Sequence, residues 1–132
     1  MALTSAEAFT LSQWFRDLSN ELARYRTREW NTLSNDQRQK LEEAEWGLLN
    51  AANEFTTAAV GLTLDESEAS IEKLKDSTER AKGAIKTLQT VGKVITVATS
   101  AVGLAAAILS KDPGAIGKNA KVLYDAATSG VV

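Results

Sequence analysis

Neither cysteine nor histidine occurs among the 132 residues, and proline occurs once. Without thiols no disulfide forms, and without thiolate or imidazole ligands the usual zinc and transition-metal sites are excluded. The many Ser and Thr hydroxyls lack the histidine base that most often turns one into a nucleophile. A carboxylate-bridged di-metal bundle lacks its Glu-x-x-His partners for the same reason. No glycine-rich run matches a phosphate-binding pattern, Gly103 and the stretch from Gly114 to Gly117 included. Met1 to Thr10 hold no basic stretch followed by an apolar run, so no signal peptide is expected. That places the protein in the cytoplasm or exports it by a route needing no such peptide. The expectation is a protein that is no enzyme, carries no cofactor and has no catalytic or metal-ligating residue.

Charge of one sign is also missing. Fifteen basic and seventeen acidic residues leave a net charge of −2, without the basic excess of a nucleic-acid binder. The distribution is uneven. Residues 1–64 hold 6 basic and 9 acidic groups, while residues 91–132 hold 4 and 2, so the apolar C-terminal third is the cationic one.

What remains is helix-forming. Thr4 and Glu7 form a capping-box pattern. Leu11, Phe15, Leu18, Leu22 and Tyr25 follow by steps of three and four, which places them on one stripe. Ser34 and Gln37 repeat the capping pattern, and Leu41, Leu48, Phe55 and Leu62 recur every seven residues. Alanines lie between these large residues, so Ala52 and Ala59 are expected to face a close helix neighbour. The short connection makes the first two helices antiparallel. Thr63 and Asp65 offer caps to a third helix, with Glu66 and Glu68 in matching positions. Its seam runs through Ile71, Leu74, Thr78, Ala81, Ile85, Leu88, Gly92, Ile95, Thr99, Val102, Ala106 and Leu109 without a slip. Unbroken, about 44 residues would make a rod of roughly 66 Å, against roughly 42 Å for each of the first two helices. Such a length leaves room for a bend or break near Gly83 or Gly92, with Gly92 the preferred place. Asp112-Pro113 restarts the chain, and Gly130 can end the last helix. The expected fold is all-α, a single domain over 1–132. It is an elongated antiparallel four-helix bundle with helices at about 5–33, 35–62, 65–110 and 113–129 and a long, central apolar third helix.

Residues 94–109 contain no charge. Off the seam lie Val94, Val97, Ala98, Ala101, Leu104, Ala105 and Ile108, so the helix is apolar on every side and must be covered on every side. Three other helices offer too little cover for a straight rod. Either the chain folds back near Gly92, or copies associate, or lipid covers the rest. The candidate interface or membrane segment is Val94, Val97, Ala101, Leu104, Ala105 and Ile108. Small residues at a spacing of four (Gly92, Thr96, Ser100 and Thr99, Gly103, Ala107) suit close helix packing in bundles and in membranes. Lys93 and Lys111 flank the segment and could reach headgroups.

Trp14 adjoins the first stripe, while Trp30 and Trp46 fall near the first hairpin and are expected to pack on each other. Arg24, Arg26 and Arg28 alternate with Glu21 and Glu29, the pattern of a solvated, salt-bridged face. Glu42, Glu43 and Glu45 read as solvated surface. The mix of amphipathic helices with one uncharged Ala/Val/Gly segment is similar in general layout to helical pore-forming toxins. That likeness is one of composition and assigns no residues. The expected function is non-catalytic: a helical assembly or protein-binding module that self-associates, or takes a helical protein partner, through residues 91–110. The alternative is a membrane-active protein that inserts the same residues, and no nucleic acid is expected as a partner.

Overall fold

The computed structural model describes residues 2–64, 70–87 and 90–129. Five α-helices account for most of them: α1 (Ser5–Arg28), α2 (Asn35–Ala58), α3 (Ile71–Thr87), α4 (Val91–Ser110) and α5 (Pro113–Ser129). The expected fold class holds as far as all-α. The four-helix count does not, because the long third helix is two helices.

Both capping boxes form. The Glu7 amide donates to Thr4 Oγ1 (3.1 Å) and the Thr4 amide to Glu7 Oε1 (3.0 Å). Ser34 and Gln37 make the same pair at 3.1 and 2.8 Å. The first two helices end earlier than their apolar spacing suggests, each for a local reason. After Arg28 the chain tightens into a 3-10 turn at Trp30–Thr32. After Ala58 it turns through Gly61, whose φ of 80° is open to glycine at no steric cost. The Gly61 amide then donates to the Leu3 carbonyl and the Leu3 amide to the Leu62 carbonyl, both at 2.8 Å. Thr63 is thereby drawn into an antiparallel bridge with Ala2 instead of capping a helix. The Ser70 hydroxyl takes that role and accepts from the Lys73 amide (3.2 Å). The caps expected at Asp65, Glu66 and Glu68, the seam position Leu88 and the stop at Gly130 lie outside the described residues.

Contacts fix the directions. Along α1 and α2, Phe15 meets Phe55 edge-on at 5.1 Å, Arg16 meets Asn53 and Arg26 meets Glu45, so the pair is antiparallel. Asp17 faces Lys82 (4.0 Å) and Glu21 faces Lys86 (3.9 Å), a constant offset that makes α3 parallel to α1. The Ser77 hydroxyl donates to the Ala120 carbonyl and Arg80 stacks on Tyr124, so α5 is parallel to α3 as well. The two-residue turn at Lys111-Asp112 sends α4 back along α5. The helices thus alternate up and down. In space α1 lies between α2 and α3, α4 lies between α2 and α5 with a smaller contact to α3, and α5 lies beside α3.

The fold-back removes the length mismatch. The 20 residues of α4 span about 30 Å and the 24 of α2 about 36 Å. It also shifts the helical phase. In α3 the expected seam is buried at Leu74, Thr78, Ala81 and Ile85. In α4 the seam positions Gly92, Thr99 and Ala106 face solvent, and the off-seam residues are the buried ones. A heptad pattern continued across Leu88 describes one helix; a chain that reverses between Thr87 and Val91 has no reason to keep that register.

Candidate interaction surfaces

Val94, Val97, Ala101, Leu104, Ala105 and Ile108 come together on one face of α4, and that face is the core. None is more than 2% exposed. Three helices of the same chain, α2, α5 and α3, supply their cover. These side chains are therefore not a surface of the folded monomer, and any association through them requires the bundle to open.

The face that α4 turns outward is small and weakly polar. Gly92, Thr96, Thr99 and Ala106 are exposed. The Thr96 hydroxyl donates to the Gly92 carbonyl (3.0 Å) and Ser100 to the Thr96 carbonyl (2.9 Å). Both hydroxyls are thus satisfied inside their own helix. Val91–Ser110 reaches a mean hydropathy of 1.8 over its most apolar stretch, enough in length and composition to cross a bilayer.

Of the three tryptophans only Trp14 packs against the core. Trp30 is 44% exposed and Trp46 57%. The two do not stack on each other. The Arg38 guanidinium lies over the Trp30 ring at 4.3 Å and donates through Nε to the Trp30 carbonyl (3.1 Å), and Arg26 approaches the ring at 5.9 Å. Such stacking holds an exposed indole in one orientation. Between the two indoles an open groove of about 660 Å³ runs along the outer face of α2, past Arg38, Glu42, Glu43 and Asn50.

The neighbouring charges are largely committed to structure. Arg26 makes a two-point contact with Glu45, Nε to Oε2 at 2.5 Å and Nη2 to Oε1 at 3.1 Å. That bond and the charge of Glu45 raise the Arg26 pKa above its ordinary value, against the opposing effect of burial. Glu45 is accordingly buried, which corrects its assignment to solvated surface; the seven-residue spacing of leucines left no signal for an inward carboxylate. Arg24 pairs with Glu21 (2.9 Å), and Arg28 reaches Glu29 (3.6 Å) and stacks on Tyr25 (5.4 Å). The arginine run is a salt-bridged face. Glu42 and Glu43 remain exposed on the α2 groove.

A second groove, of about 410 Å³, lies between α3 and α5. Among the described residues Lys73, Lys118 and Lys121 line it with one carboxylate, Asp76. Gly117 and Ala120 are buried beneath and Tyr124 stands beside them. The sequence reading missed this site. Its trace was Lys118 and Lys121 three apart, each next to a small residue. No cluster of three or more Asp or Glu able to hold a metal occurs among the described residues.

Comparison with family models, with curated proteins and with solved structures returned no match in any of the three.

Proposed function

We propose that this chain is a non-catalytic helical binding and assembly module whose working surface is the Trp30–Trp46 face of α2. The observation that carries the reading is the exposure of those two indoles on one groove; the other large apolar side chains exposed among the described residues, Phe9, Val60 and Val122, do not line it. Indole is costly to leave in water and is the side chain most enriched in binding hot spots. Glu42, Glu43 and Asn50 beside it supply the polar rim of such a surface.

The test is photo-cross-linking in the cells that make the protein, with a benzophenone side chain at Asn50 inside the groove and, as the control, at Thr10 on the exposed part of α1. Discrete adducts are expected from Asn50 and not from Thr10, and they are expected to vanish in Trp30→Ala/Trp46→Ala. Equal labelling at both positions would remove α2 as the working surface.

A second reading is favoured by α4. A 20-residue helix, free of charge after Lys93, bonds its Thr96 and Ser100 hydroxyls internally and is held by apolar packing. Such a helix suits a protein that folds in water and later inserts residues 91–110 into a bilayer. Dye release from anionic vesicles supports it; intact vesicles with no blue shift in tryptophan emission count against it.

A further inference from the structure

The two grooves carry opposite charge and point in opposite directions. α2 packs on α1 and α4 and makes no extensive contact with α3 or α5, which close the far side of the bundle. On the α2 face the carboxylates Glu42 and Glu43 stand against one cation, Arg38, which is already engaged by the Trp30 carbonyl and Asn35. In the α3/α5 groove Lys118 and Lys121 stand beside one carboxylate among the described residues, Asp76. Lys118 and Lys121 take part in none of the ion pairs among the described residues.

We propose that the chain assembles with copies of itself head to tail, the Trp46-bearing face of α2 on one protomer seating in the lysine-lined α3/α5 groove of the next. Gly117 and Ala120 leave the space that an indole would fill, with Tyr124 as an aromatic neighbour. Glu42 and Glu43 then approach Lys118 and Lys121 around it, so the apolar anchor supplies the burial and the charge pairs set the register. Because the two faces differ and point apart, the contact is heterologous. Each added protomer leaves one face of either kind free, and the assembly is open-ended instead of stopping at a dimer. This inference rests on the reading of α2 as a binding surface and names its partner as a second copy.

The experiment uses the purified full chain, followed by light scattering and sedimentation at rising concentration. Mass is expected to climb with concentration in about 0.1 M salt and to fall back in about 1 M salt, where the screening length drops from about 10 Å to about 3 Å. Lys118→Glu/Lys121→Glu and Glu42→Lys/Glu43→Lys should each weaken association at least about tenfold, the effect of one well-placed charge pair. All four positions are exposed, and a helical circular-dichroism spectrum checks that the variants fold. Mixing the two variants supplies the decisive readout, because each then offers the charge that the other's altered face requires. Association restored in the mixture, and absent from either variant alone, is the expected result. A wild-type chain that stays monomeric overturns the proposal, as does a closed dimer indifferent to the groove reversal. Failure of the α2 reading is distinguishable: if Asn50 cross-links to a different protein while the pure chain stays monomeric, the binding surface stands and self-assembly falls.

Discussion

The α1–α2 hairpin and the α4 helix are held by different physics. Across α1 and α2 run the Arg26–Glu45 pair, the Arg16–Asn53 bond (3.0 Å) and the Ser19 hydroxyl donated to the Glu45 carbonyl (2.8 Å). No side-chain hydrogen bond or ion pair joins α4 to another helix among the described residues; the hydroxyls of Thr96, Ser100 and Ser110 bond within α4. The hairpin is thus fixed by directional contacts that demand one register. α4 is fixed by volume and by removal of apolar surface from water, which are less particular about direction. The same chain contains one pair of helices with a specified partner and one helix that any sufficiently apolar surroundings would satisfy.

The largest test of this contrast is Leu104→Ala. Leu104 is fully buried, on a helix that packs against α2, α5 and α3. A cavity there is expected to lower the unfolding free energy by roughly 3–5 kcal/mol in urea denaturation, since α4 has no polar tie to share the load. Phe9→Ala, at an exposed position of α1, is expected to change it by less than about 0.5 kcal/mol. A Leu104 variant as stable as wild type would mean that the core around α4 is not packed. On the other side of the comparison, Arg26→Ala strands the buried carboxylate of Glu45. The pair is neither fully buried nor at the surface, so a loss of roughly 2–3 kcal/mol is expected, below the fully buried limit. Glu45→Gln/Arg26→Ala should recover part of it, and a double-mutant cycle checks the coupling.

Smaller effects probe the hairpin from within. Ala52, fully buried as its place among the leucines of α2 led us to expect, has no room to grow. Ala52→Leu is expected to lower the melting temperature, with a cost of about 2 kcal/mol from overpacking. Ser12 is the converse case. Its hydroxyl is buried and has no hydrogen-bond partner among the described residues. Ser12→Ala removes that unsatisfied group and is expected to raise stability by about 1 kcal/mol. A loss on that substitution would show that the hydroxyl has a partner in solution.

How much of this was legible follows the same division. Thr4 with Glu7, Ser34 with Gln37 and the stripe from Leu11 to Tyr25 are local signals that survived intact; the cap at Thr63, equally local, did not, because the contact with the N-terminal segment at Ala2 and Leu3 overrides it. The inward turn of Glu45 was invisible, because it depends on Arg26 nineteen positions earlier in a neighbouring helix. The seam from Ile71 to Leu109 misled for a different reason. An apolar stretch with few charged positions fits several phases about equally well, so periodicity could not say which face of α4 is inside. The length argument did better than periodicity: it left fold-back, association and lipid as alternatives, and the helix break between Thr87 and Val91 lies close to the Gly92 it preferred for a fold-back. Of the two grooves, the indoles of one were visible as residues but not as a pair of exposed rings. The other needs α3 beside α5, a packing that no single helix records.

The fold-back has a counterpart at the other end of α4, and it yields the smallest expected effect. Lys111 closes α4 at φ 62°, ψ 25°, the only described non-glycine residue with positive φ. A left-handed Cβ costs roughly 1–2 kcal/mol, which glycine does not incur. Against that, glycine loses roughly 0.5–1 kcal/mol more conformational entropy on folding, and a cation at a helix C-terminus is itself favourable by a few tenths of a kcal/mol. Lys111→Gly is therefore expected to gain only about 0.5 kcal/mol. Lys111→Val sharpens the result, because a β-branched residue is the worst occupant of this conformation and is expected to lose about 1 kcal/mol or more. The order Gly above Lys above Val in thermal melts would place the turn between α4 and α5 in the left-handed region. Val equal to Lys would instead mean that the turn relaxes, and that α4 is as loosely specified at its exit as it is along its length.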